Sequence, residues 1–151
     1  MKKSLQIIII IIVIALLVIA WQSQNKEIEK VTSFEENIGN QLEKKDLIRV
    51  TTPRPNDVIK SPLKITGEAR GYWFFEASFP IVLLAQDGTV LLESYIMTEN
   101  EWMTEDFVSF AATFQFEKPE NIKSGTLILK KDNPSGLPEH DDNLVIPIFF
   151  E

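Results

Sequence analysis

Two stretches of this chain gather side chains whose types could do chemistry. In the first, Asp132, Asn133, Glu139, Asp141, Asp142 and Asn143 fall within one segment, DNPSGLPEHDDN. Hard oxygen ligands of this kind can hold calcium, which takes about six to eight of them. Asp132, Glu139, Asp141 and Asp142 are therefore candidate metal ligands, with calcium the one cofactor to consider. Their spacing departs from the EF-hand loop, and the simpler reading is a loop kept solvated by its charge. His140, the only histidine, lies in the same segment. A Ser/His/Asp set can be written around it, but no GxSxG elbow accompanies it. Catalysis is not expected, and His140 reads as a solvated loop residue.

The second stretch punctuates the most apolar part of the chain outside its N-terminus. Glu68, Arg70 and Glu76 surround Tyr72 and Trp73, and Trp102 follows some thirty residues later beside Met103. A guanidinium, two carboxylates and flat aromatic rings suit a polar ligand, and exposed rings in a row would suit a carbohydrate. The structural alternative is an Arg–carboxylate cluster that pins a sheet edge, with Trp102 capping the core.

Composition narrows the field. The chain has 151 residues and no cysteine, which excludes disulfides, thiolate metal sites, a Cys nucleophile and a thioether lipid anchor. Its formal net charge is −7; without Lys2 and Lys3, 13 basic and 22 acidic residues remain, a balance of −9. Such a body repels phosphate backbones, so no nucleic-acid partner is expected.

The elements that would position these residues are strands. In Gly71–Gln86, Trp73, Phe75, Ala77, Phe79, Ile81, Leu83 and Ala85 all fall on odd positions. A strand points alternate side chains to opposite faces, so one central strand with a kink or an edge position at Pro80 is expected. Asp87-Gly88 then marks a hairpin, because both residues tolerate positive φ. Leu47–Thr52, Pro62–Arg70, Thr89–Met97, Phe107–Glu117, Thr126–Lys131 and Leu144–Phe150 supply six further strand patterns. Pro147 removes one ladder donor, which predicts an edge strand or a bulge. About seven short strands without a convincing helix predict an all-β antiparallel sandwich over residues 47–151, a small closed barrel being the alternative.

Ahead of the sandwich lie two other segments. Lys2 and Lys3 precede an unbroken apolar run of 14 residues, Ile7 to Ala20, within a 17-residue segment from Leu5 to Trp21. Residues 1–21 read as a single transmembrane signal-anchor, with the lysines cytoplasmic, Trp21 at the interface and the remainder extracytoplasmic. A cleaved signal peptide is the rival reading. Residues 22–46 form a charged linker, partly helical at most, in which Ile28, Val31, Ile38 and Leu42 recur at helical spacing around Gly39.

Gly67-Glu68-Ala69-Arg70-Gly71, Phe75-Glu76-Ala77, Trp102-Met103 and Asn133-Pro134-Ser135-Gly136-Leu137-Pro138-Glu139 together resemble the immunoglobulin-like domain associated with bacterial spore germination, the Gmad type. The resemblance extends over nearly all of Leu47–Glu151. It implies a non-catalytic, extracytoplasmic sandwich module of a bacterial cell envelope, and carries no catalytic motif. The expected partners are the membrane, through Leu5–Trp21, and an envelope protein or polysaccharide. An accessory subunit assembling through its anchor, or a carbohydrate-binding module, is the alternative.

Overall fold

A computed structural model describes residues 18–22 and 40–151. Val18–Gln22 are helical, with Val18, Ile19 and Trp21 exposed. The rest of the predicted anchor, and the linker up to residue 39, lie outside the described residues. Among the described residues no helix is long and apolar enough to cross a membrane.

The remainder is a short helix and eight strands in two sheets. Helix α1 is Gln41–Lys44; the strands are β1 (Ile48–Thr52), β2 (Val58–Ile59), β3 (Leu63–Arg70), β4 (Ser78–Ala85), β5 (Val90–Met97), β6 (Phe107–Phe114), β7 (Ser124–Lys130) and β8 (Asn143–Phe150). One sheet has the order β1-β3-β6 and the other β2-β8-β7-β4-β5. All pairs are antiparallel except β2 with β8, which is parallel. The two-residue β2 is too short to show an alternation, and the sequence patterns pass over it.

The core lies between the sheets and follows the period of two. Ile65 and Ala69 of β3, Val108 and Phe110 of β6, Phe79, Ile81 and Leu83 of β4, Leu127 and Leu129 of β7, and Leu144, Ile146 and Ile148 of β8 are all buried. Burying each of the Val, Leu, Ile and Phe side chains contributes about 1.5–3 kcal/mol. Phe79 ties the layers together. Its ring meets Phe74 edge-on at 5.1 Å and Phe110, from the opposite sheet, at 5.2 Å. Gly67 faces Phe110 across the β3–β6 ladder. A Cβ there would lie 2.7 Å from the Phe110 ring and 2.3 Å from the Arg49 carbonyl oxygen, so only glycine fits.

The expectation of one strand through Gly71–Gln86 is corrected. Gly71–Trp73 form a 3-10 turn, and the strand begins at Ser78. Between them Phe75 and Ser78 exchange reciprocal main-chain bonds of 2.9 and 3.0 Å. They enclose a two-residue reverse turn in which Glu76 (φ 49°) and Ala77 (φ 62°) are both left-handed. The odd-position pattern holds for Phe79–Ala85, whereas Phe75 is exposed.

Pro80 does not occupy an edge strand, since β4 lies between β7 and β5. It pairs with Tyr95 of β5, and the ladder to β7 starts only at Ile81. Its missing donor therefore falls outside the β7 ladder. Pro147 lies where β8 pairs with β7 alone, because β2 covers only Phe149 and Phe150. The β7–β8 register runs without a bulge.

The open edge of β8 is closed by a side chain. Asn40 Nδ2 donates to the Asn143 carbonyl at 3.0 Å, and Asn40 Oδ1 accepts from the Val145 amide at 2.7 Å. One amide thus takes the place of a strand residue. It is also why Asn40, at the N-cap of α1, makes no side-chain capping bond. Lys44 adds an ion pair with Asp142 at 2.5 Å. Removing the amide leaves the part-buried Val145 N–H without its acceptor. Asn40→Ala is expected to cost about 1–2 kcal/mol in urea unfolding at unchanged m-value, with Asn40→Asp, which keeps the acceptor alone, falling between.

Candidate functional site

The residues singled out as ligand contacts lie at the end of β3, on the segment joining β3 to β4 and on the segment joining β5 to β6. The candidate metal ligands lie apart from them in sequence, between β7 and β8.

Glu68 and Arg70 are on the outer surface of the three-stranded sheet. Arg70 donates from Nε to the Asp46 carbonyl at 3.0 Å and from Nη1 to the Glu105 carbonyl at 3.1 Å. Its guanidinium lies 4.1 Å from the centre of the Phe107 ring, and Arg49 lies 3.9 Å from the same ring. Arg49 also donates to Glu68 at 3.0 Å, with both side chains well exposed, so that pair contributes little. Each cation–π contact is worth about 0.5–1 kcal/mol at an exposed site. Arg70 joins the α1–β1 connection, β3 and the β5–β6 segment through main-chain carbonyls, a positioning role in place of the predicted carboxylate cluster.

Tyr72, Trp73 and Trp102 part company. Trp73 is fully buried and belongs to the core, which removes it from any surface row of aromatics. Its ring is carried inward by the 3-10 turn. Tyr72, on the same turn, is 49% exposed, and Trp102 is half-buried with one side packed against the core. Met103 and Phe75 are also exposed. Gly71 holds the two segments together. Its α-carbon sits so close to the other segment that a Cβ would lie 2.0 Å from the Thr104 oxygen and 2.2 Å from the Trp102 oxygen. Glu76 is exposed on the left-handed turn. A non-glycine residue in that conformation costs about 1–2 kcal/mol.

The acidic residues between β7 and β8 do not converge. Asp142 pairs with Lys44, and Asp141 Oδ1 accepts from Asn133 Nδ2 at 2.7 Å. Glu139 is exposed in a second 3-10 turn, Pro138–His140. Asp132 is tied by its amide to the Trp73 carbonyl at 3.0 Å. Among the described residues no three His, Cys, Asp or Glu side chains come together to hold a metal ion. Ser135 Oγ lies 3.1 Å from His140 Nδ1, donates to Asn133 Oδ1 at 2.5 Å and accepts from the Leu137 amide at 3.2 Å. With its one proton on Asn133, the hydroxyl accepts from the imidazole. The segment is a self-bonded loop.

Desolvation raises the Asp132 carboxyl above its ordinary value, the Asn133 amide opposes this, and the charge of Glu76 adds to it. A carboxyl raised in the folded state binds its proton more tightly there than in the unfolded chain. Its favourable effect is present below the unfolded value and is lost as pH rises through the folded one. Asp132→Asn is therefore expected to exceed the parent in stability at neutral pH. The difference should shrink on acidification through that window, read by urea unfolding at stepped pH.

One feature was legible in the sequence and missed by motif reading. Residues 71–117 contain eight acidic residues and neither Lys nor Arg. The signal lies in counting charge by segment, not over the whole chain.

Comparison with curated proteins and with solved structures gives no match. Among protein families, the immunoglobulin-like domain of bacterial spore germination matches residues 47–136. The matched stretch carries β1 to β7 and both segments of the aromatic end; β8, which completes the larger sheet, follows it. A match over more than half of the chain, on a two-sheet sandwich, means that this chain belongs to the family of immunoglobulin-like domains of bacterial spore germination.

Proposed function

We propose that the chain is a non-catalytic binding module of a bacterial cell envelope, held at the outer face of the membrane through Leu5–Trp21. The observation that carries the binding role is the aromatic end. Tyr72, Phe75 and Met103 are exposed beside the half-buried Trp102, on two short segments locked together at Gly71. Rigid presentation of such side chains lowers the entropic cost of association. The membrane placement is supported by the basic start and the 14-residue apolar run, Ile7–Ala20.

The absence of cysteine makes the placement testable. Ser135→Cys, on an exposed loop, gives a unique thiol. A membrane-impermeant maleimide added to intact cells is expected to label it, and the labelled chain should resist extraction at alkaline pH. Labelling only after lysis overturns the extracytoplasmic reading. Release by alkaline wash overturns the anchor.

A further inference from the structure

The acid-only stretch, residues 71–117, builds one side of the sandwich: β4, β5 and β6 with their connections. Glu76, Asp87, Glu93, Glu99, Glu101, Glu105, Asp106 and Glu117 are all exposed. Among the described residues none of the eight enters an ion pair. Within this acidic side, β5 is the edge of the five-stranded sheet and pairs with β4 alone.

The phase of the β4–β5 ladder fixes what that edge offers. The Thr98 amide donates to the Ala77 carbonyl at 2.9 Å, so the hydrogen-bonded pairs continue at Phe79↔Ile96 and Ile81↔Ser94. The intervening residues Glu93, Tyr95 and Met97 direct their N–H and C=O groups to the open edge. Their side chains share the outer face of the sheet, where Tyr95 is 58% and Met97 68% exposed. Exposed edges are ordinarily blunted by lysine, proline or a bulge. The only irregularity in this ladder lies beside Leu91, and Leu92–Met97 is regular, with neither Lys nor Pro.

We propose that β5 receives an extended segment of a partner protein as a sixth strand. That segment carries Lys or Arg opposite Glu93 and apolar residues at the alternate positions opposite Tyr95 and Met97. Main-chain bonds to Glu93, Tyr95 and Met97 supply the ladder, and alternate side chains supply selectivity. Charge identifies the occupant. A basic strand meets a stretch of chain, residues 71–117, that has eight acids and no cation, whereas a second copy docked at β5 would bring two such stretches together. The proposal rests on the reading of the chain as a binding module and adds the surface and the partner's chemistry.

The probe is a labelled synthetic peptide of about twelve residues in which Arg, Val and Phe alternate with Thr, titrated into the full chain in mild detergent and followed by fluorescence anisotropy. A matched peptide with Glu for each Arg is the control. The Arg peptide is expected to bind and the Glu peptide to fail. Glu93→Arg should weaken the Arg peptide by about tenfold or more and admit the Glu peptide. Tyr95→Lys with Met97→Lys should abolish binding, while Glu43→Arg, exposed on α1 beside β8 and so across the sheet from β5, leaves it unchanged. Circular dichroism confirms that each variant is folded. No binding up to millimolar peptide, or equal losses from Glu93→Arg and Glu43→Arg, overturns the proposal. So does a dimer that Tyr95→Lys with Met97→Lys dissociates. If the peptide fails while Tyr72→Ala reduces retention on isolated envelopes, the site falls and the module reading stands.

Discussion

Trp73→Ala is expected to cost about 3–5 kcal/mol, against a total stability of about 5–15 kcal/mol for a domain of this size. Trp73 is the largest of the fully buried side chains, and the 3-10 turn that carries it is fixed on one side by Gly71 and on the other by the Asp132 amide. Truncation therefore leaves a cavity that the surrounding backbone is poorly placed to close. Urea unfolding followed by far-ultraviolet circular dichroism reads the loss without relying on the tryptophan removed. Trp73→Phe separates volume from polarity. Trp73 Nε1 is buried with no hydrogen-bond partner among the described residues. A buried donor in that state is unfavourable, so removing it offsets part of the lost packing. The Phe variant should thus cost less than half as much as the Ala variant. Equal costs would mean that the indole N–H is bonded in solution. The comparison also governs how binding losses are read: a Trp73 variant loses the fold, whereas Tyr72→Ala, at a half-exposed position, should shift stability by no more than about 0.5 kcal/mol.

Trp73 also shows how far the sequence carries. Its odd position correctly predicts burial, but through a 3-10 turn where a strand was expected. Phe75, two residues on, fails because Glu76 and Ala77 reverse the chain without a glycine to announce it. Parity of apolar positions reports which side chains are buried only while the chain stays extended. From Phe79 to Ala85 it does, and the inward set follows. The hairpin at Asp87-Gly88 was legible for the opposite reason, since Gly88 has a φ of 86° in an uncrowded turn. Contacts between distant residues were not legible. Asn40 closes the edge of β8 from 103 and 105 residues away, and nothing local distinguishes it from a linker asparagine. Arg70 reads beside Glu68 and Glu76 as a carboxylate partner. Its donors go instead to two carbonyls that only the folded chain brings within reach. The acidic loop has the composition of a cation site, but Asp142 is taken by Lys44 and Asp141 by Asn133, and among the described residues no three such side chains come together. Composition carries no information about direction.

Gly71→Ala is the second large expected effect, and it acts on the fold and the aromatic end together. Gly71 is not among the positive-φ glycines, so alanine meets no conformational penalty there. The penalty is steric. The added carbon would lie 2.0 Å from the Thr104 oxygen and 2.2 Å from the Trp102 oxygen, both main-chain atoms that no rotamer change can move. One segment has to shift by more than an ångström, and the shift works against the Gly71 amide bond to the Asp106 carbonyl at 3.1 Å. Overpacking of this kind costs about 1–3 kcal/mol, and against backbone on two sides the upper end is expected. Gly88→Ala is the contrasting variant. It meets nothing within 4 Å and bears only the left-handed penalty, about 1–2 kcal/mol. The two differ most in where the damage appears. Gly71→Ala should move the segment that carries Trp102, changing its emission in the native state and reducing any binding that uses Tyr72, Trp102 or Met103. Gly88→Ala should leave native emission unchanged. A Gly71→Ala protein with parental stability and emission would show that the two segments are not in contact at Gly71, and would remove the rigid aromatic end on which the binding role rests.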